Sequence, residues 1–211
     1  MHDMTNLRQA ILIGDADAAV SAARKALDEG VRPVDLVSNA ISPAMGEVGK
    51  LFEEGEYFVP ELLIAARATK EIFHILRPLL AETGTKPRGH VLLGTVQGDL
   101  HDIGKNLVAA MLEGGGFEVT DLGVDVPPQK FVAAVQQHKP QIVGLSALLT
   151  TTLPAMKTAI DAMRGAGIGK EIKIMVGGAP VTRQYADSIG ADGYGENAAS
   201  SVELARQLIG A

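Results

Sequence analysis

The stretch HVLLGTVQGDLHDIGKNLV, residues 90–108, reads as a strand, a loop and the start of a helix. HVLLGTV (90–96) is apolar on successive positions, which suits a strand buried on both faces. The loop that follows holds Gly98, Asp99 and His101, and helical spacing takes over near residue 103. The same grammar recurs downstream. FEVTDLG (117–123), QIVGLSA (141–147), IKIMVGG (172–178) and a weaker ADGYG (191–195) read as strands. Helical segments separate or follow them near 103–113, 127–138, 154–165, 180–188 and 197–209. Strands that alternate with helices predict a parallel sheet covered on both sides. The expected α/β domain is flavodoxin-like: doubly wound and five-stranded, with its ligand crevice beyond the carboxyl ends of the strands.

Upstream, residues 1 to about 82 carry helical periodicity only. Asp15 is placed to open one helix and Gly30 to close it. Pro33 sits in the first turn of the next, which shows Leu36, Val37, Ile41, Met45 and Val48 on one side, with a kink expected at Pro43. A third helix begins near Pro60 and runs through Leu62, Leu63, Ala66, Ile72, Phe73, Leu76 and Leu80. This predicts an N-terminal helical bundle. TGTKPRG (83–89) mixes Gly, Pro, Thr and charge without period, as linkers do. The expected organisation is a helical domain over 1–83, a linker over 84–89 and an α/β domain over 90–211.

Composition narrows the chemistry. Lys and Arg number 19 against 25 Asp and Glu, a formal net charge of −6, and no basic block or basic–aromatic interleaving points to nucleic acid. Without cysteine there is no disulfide framework, thiolate metal site or cysteine nucleophile, and a cytoplasmic setting fits. Neither a signal peptide nor an apolar run of about 18 residues is legible. His2, His74, His90 and His138 lack metal-ligand spacing, and the Gly114–Gly116 run has no Lys-Ser/Thr after it to make a phosphate loop.

In Asp99-x-His101 a carboxylate can accept a hydrogen bond from one imidazole nitrogen, fix the tautomer and make the other nitrogen a better metal donor. Alternatively, His101 caps a turn and Asp102 caps the helix behind it. The two residues alone leave both readings open.

The longer string DLHDIGKNLV (99–108) closely resembles the D-x-H-x-x-G signature of proteins that bind cobalamin with a histidine in place of its dimethylbenzimidazole. GLSALLTTT (144–152), VGGAPVT (176–182) and YGENAA (194–199) are similar to that family's later loops. LFEEGEYFVPELLIAA (51–66) looks like the cap of cobalamin-dependent methionine synthase. The layout is closest to the stand-alone corrinoid proteins of methanol, methylamine and related methyltransferase systems. The resemblance implies a methyl carrier that takes a methyl group on cobalt from a substrate-specific methyltransferase and gives it to a second methyltransferase. It has no catalytic residue of its own, and a reductive activase is a third partner. His101 is implied as the cobalt ligand, Asp99 as its hydrogen-bond partner and the Thr152 hydroxyl as the end of a relay to solvent. Ser146 and Thr150 are implied at the displaced nucleotide tail, with Gly94, Gly98, Gly144, Gly177 and Gly178 making room for it. Asp102, Ile103, Gly104, Leu148 and Ala198 are further implied cofactor contacts, and Phe52 and Val59 apolar cover over the methyl group. Two other functions use the same loop: a coenzyme-binding subunit of a carbon-skeleton mutase, and a cobalamin-dependent sensor. The N-terminal bundle argues against the first, and the absence of a helix-turn-helix or basic patch against direct DNA binding by the second.

Overall fold

The structure is a computed structural model that describes residues 4–82, 87–168 and 171–210. Residues 84–86 of the 84–89 segment expected as a linker lie outside the described residues. The chain divides into two compact units, 1–87 with 110–116, and 88–109 with 117–211.

The first unit is helical: α1 (Thr5–Leu12), α2 (Ala16–Asp28), α3 (Pro33–Leu36), a π-helical turn (Val37–Ile41), α4 (Ser42–Glu53) and α5 (Val59–Glu82). Asp15 caps α2 by accepting from the Ala18 N–H at 2.9 Å, and Pro33 stands in the first turn of α3, where its missing N–H costs nothing. Leu7, Ile11, Leu36, Ile41, Met45, Val48, Leu62, Ile72 and Leu76 bury the apolar stripes together. Leu63, expected in this core, is exposed instead. The irregularity expected at Pro43 falls one turn earlier, over Val37–Ile41. Pro43 cannot donate back to the Asn39 carbonyl and its ring crowds that oxygen, so the preceding turn widens.

The second unit is a five-stranded parallel sheet with order β2-β1-β3-β4-β5, where β1 is His90–Thr95, β2 Glu118–Asp121, β3 Ile142–Ser146, β4 Lys173–Gly177 and β5 Gly193–Gly195. Helices α6 (Ile103–Gly114), α7 (Pro128–His138), α8 (Leu153–Gly165), α9 (Arg183–Ile189) and α10 (Ala198–Ile209) connect and finish it. Leu92, Val143, Leu145, Ile174 and Val176 share one core with Phe131, Met156, Ile160 and Ile189 from α7, α8 and α9. On the other face Val91, Leu93, Ile142 and Met175 are equally buried. The strands are therefore apolar on both sides, as a doubly covered parallel sheet requires.

The second half of α6 belongs to the helical unit. Gly114 leaves space that Met45 fills, the Ser42 hydroxyl donates to the Gly114 carbonyl at 3.4 Å, and Arg77 pairs with Glu113 at 3.0 Å.

Candidate functional site

β1 lies between β2 and β3, so the loops leaving β1 and β3 diverge from neighbouring strands at one edge of the sheet's carboxyl end. The first loop begins with a turn in which the Asp99 N–H donates to the Val96 carbonyl at 3.1 Å. Gly98 adopts φ +86 at its third position, a conformation L residues rarely take. The turn sends the Asp99 side chain inward, and the carboxylate has no exposed surface.

Every oxygen of that carboxylate is used. Oδ1 accepts from the His101 N–H at 3.0 Å and lies 2.9 Å from His101 Nδ1. Oδ2 accepts from the Leu148 N–H at 2.8 Å, the Leu149 N–H at 3.3 Å and the Thr152 hydroxyl at 2.7 Å. Burial alone raises the pKa of a carboxyl; the donors from Leu148, His101 and Thr152 outweigh it and hold Asp99 well below the usual carboxylate range. An ionised Asp99 accepts from Nδ1–H, so His101 is the tautomer whose Nε2 carries a lone pair. The Thr95 hydroxyl, itself buried, donates to the His101 carbonyl at 2.8 Å and fixes the backbone of the same residue. The His101 side chain is 50% exposed, and its Nε2 has no partner among the described residues. Around it the two loops expose Leu100 and Ile103 (71% each), Leu148 (43%) and Leu149 (41%). A free imidazole nitrogen framed by apolar side chains suits a flat, largely apolar ligand that brings its own metal. Among the described residues no three His, Cys, Asp or Glu side chains converge on a common metal position.

The expected residues fare differently. Asp99, His101 and Thr152 come together. Thr152 is buried and shares its hydroxyl between Asp99 and the Leu149 carbonyl at 2.9 Å, so it anchors the carboxylate. Its position one residue before α8 turns the hydroxyl back under the loop. Gly104 has open space beside it, whereas a side chain on Gly98 would touch the Thr152 methyl group. Asp102 is exposed and accepts from the Asn106 side chain at 3.1 Å. Ser146 ends β3 half-buried, and Thr150 is exposed. Gly94 and Gly144 do not leave a slot: the Phe131 ring occupies the side-chain position of the first and Leu93 that of the second. Gly177 faces the Gly195 carbonyl, and Gly178, at φ +130, lies against the Ala147 carbonyl. Ala198 is buried in the first turn of α10. In the helical unit Phe52 is half-buried and Val59 exposed.

Several contributors were not legible in the sequence. Thr95 and the Leu148 and Leu149 amides are among them. Lys105 is another: its ammonium is buried against Asn106 Oδ1 at 2.7 Å and Asp121 Oδ2 at 2.5 Å. Asp125 has φ +51 outside any glycine and accepts from the Gly98 N–H at 2.7 Å. Its place in GVDVPP is a turn signal, though nothing local says what it holds. At the start of β1, His90 and His138 meet edge to face at 5.9 Å, and His90 Nε2 lies 2.8 Å from the Thr120 hydroxyl.

Comparison with known proteins follows the same division of the chain. A family model described as a B12 binding domain matches residues 89–203, and a second model with that description matches residues 4–77. The chain is 42% identical to trimethylamine corrinoid protein 1 of Methanosarcina acetivorans, over 96% of this chain and 94% of the relative. It is similar to a cobalamin-binding protein of Desulfitobacterium hafniense solved by crystallography, at 34% identity and TM-score 0.83 over 99% of both chains. A chain of the methanol:cobalamin methyltransferase complex of Methanosarcina barkeri is 35% identical with TM-score 0.85, over 98% of this chain and 79% of that one.

Proposed function

The chain belongs to the B12 binding domain family as a corrinoid protein of methyltransferase systems, and on that premise we propose that His101 is the residue that would hold its cobalt. The protein would then pass a methyl group from one methyltransferase to another. The observation that carries this reading is the free, half-exposed Nε2 of His101, whose other ring nitrogen is tied to a buried, ionised Asp99. The residues present fit the group, since a single neutral imidazole is the donor such a cofactor lacks once its own base is displaced.

Bound there, the corrinoid supplies a cobalt that accepts a methyl group from one partner and yields it to the next. The chain's own residues do the rest. Asp99 fixes the His101 tautomer and the orientation of its ring. Thr152 and the Leu148 and Leu149 amides keep Asp99 charged and in place. Leu100, Ile103, Leu148 and Leu149 offer apolar surface to a ligand that docks on His101. A methyltransferase partner is supported by the relative that forms part of a methyltransferase complex. A second, methyl-accepting methyltransferase and a reductive activase complete the proposed cycle. Within the described residues no helix is long and apolar enough to cross a membrane.

Electron paramagnetic resonance of the Co(II) cobalamin-loaded protein, with and without nitrogen-15 histidine, tests the assignment. Coupling to one histidine nitrogen that changes on labelling is expected. Coupling to benzimidazole nitrogen would falsify it. The His101→Ala variant should bind cobalamin more weakly or show no protein nitrogen at cobalt. Rearrangement of a carbon skeleton by protein loaded with adenosylcobalamin would establish the mutase-subunit reading instead.

A further inference from the structure

The connection between β2 and α7 reaches across to the loop that bears His101 and holds it at both ends. Asp125 does so twice. Its N–H donates to the Asp99 carbonyl at 2.9 Å, and its Oδ1 accepts from the Gly98 N–H at 2.7 Å. The Gly98–Asp99 peptide is thus bracketed by one residue 26 positions beyond Asp99. Four residues earlier, Asp121 receives the buried Lys105 ammonium from the first turn of α6 and caps its own turn through the Gly123 N–H at 2.9 Å. The Gly123 carbonyl accepts from the Thr95 N–H at 3.0 Å, so the connection also follows β1 to its end.

Asp125 makes both contacts only because its backbone is left-handed, at φ +51. Glycine takes that conformation more readily than any other residue, and aspartate is one of the few with a side chain that tolerates it. A strained choice that also supplies a charged acceptor to a backbone N–H points to a role for the carboxylate itself.

From this bracket we infer that Asp125 is a positioning residue for the cobalt ligand: it fixes the turn that aims Asp99, and through Asp99 the His101 ring. The inference rests on the assignment of His101 made above. Asp99 is held from its side-chain end by the Leu148 and Leu149 amides and Thr152, and from its backbone end by Asp125. Release of the backbone end lets the turn swing while the carboxylate stays anchored, which shifts the His101 ring that Asp99 aims.

The test compares wild type with Asp125→Gly and Asp125→Asn. Glycine keeps the backbone conformation and removes the carboxylate; asparagine keeps an oxygen acceptor and the tolerance for φ > 0. Thermal unfolding of the cobalamin-free proteins reports the fold. The Co(II) resonance spectrum reports the ratio of histidine-bound to histidine-free cobalt. Asp125→Gly should leave unfolding close to wild type and lower that ratio by about tenfold, the order expected for one charge-assisted hydrogen bond, with Asp125→Asn restoring most of it. An unchanged ratio in Asp125→Gly overturns the inference, and so does a melting temperature lowered in both variants, because the residue then serves the fold. A wild-type spectrum without histidine coupling removes the assignment of His101 itself, a failure visible before any variant is made.

Discussion

Asp99 has no exposed surface, two donors on Oδ1 and three on Oδ2, and it touches both loops of the site. An amide in its place offers one accepting oxygen and turns an NH₂ toward groups that are themselves donors. Asp99→Asn should therefore destabilise the cobalamin-free protein by about 2–3 kcal/mol at pH 7. The pH dependence has a definite sign. The folded carboxyl lies below its ordinary range, so its contribution is fully present above pH ~4 and fades as the pH falls below that. Urea unfolding of wild type and Asp99→Asn at pH 7 and pH 3.5 should show the gap between them narrow at the lower value. An equal gap at both would mean that charge on Asp99 contributes nothing.

At the scale of elements, the glycines separate into those with a backbone obstacle at the side-chain position and those with open space there. Gly178 ends β4 at φ +130 with the Ala147 carbonyl where a Cβ would stand, a backbone obstacle that no side-chain motion relieves. Gly178→Ala should cost more than about 2 kcal/mol. Gly104 is the opposite case. It sits in the first turn of α6 with open space beside it, and alanine is the better helix former. Gly104→Ala should unfold at the same temperature as wild type or higher, yet bind cobalamin more weakly if the cofactor passes over that turn. Differential scanning of the apo proteins together with a cobalamin titration separates the two effects.

On the scale of the whole molecule, the compact units do not follow the chain. Residues 110–116, the end of α6 and the turn after it, group with the helical unit, where Gly114 packs on Met45 and Glu113 pairs with Arg77. We propose a domain boundary near residues 84–89, and a fragment of residues 84–211 tests it. The fragment keeps the sheet, its helices and the Asp99–His101–Thr152 cluster, so it should fold and bind cobalamin. The end of α6 loses its packing partners, so circular dichroism should show a melting temperature below that of the full chain. An insoluble fragment, or one that binds nothing where the full chain binds, removes the boundary.

The order of strands and helices was legible because strands covered on both faces read as short continuous apolar runs, whereas burial repeats about every 3.6 residues in a helix. Asp15, Pro33 and Gly30 announced helix ends by their own backbone preferences. Asp99 and His101 were legible for a similar reason, since their hydrogen bond spans two residues. The fold alone decided what meets across greater separations. Leu148, Leu149 and Thr152 reach Asp99 from 49 to 53 residues away, and Asp125 reaches Gly98 from 27. Those pairings depend on β1 lying between β2 and β3, which no local pattern encodes. The same limit explains Gly94 and Gly144, whose empty places Phe131 and Leu93 fill. Periodicity tells which face of an element is buried; only the packed sheet determines which side chain from elsewhere occupies the space.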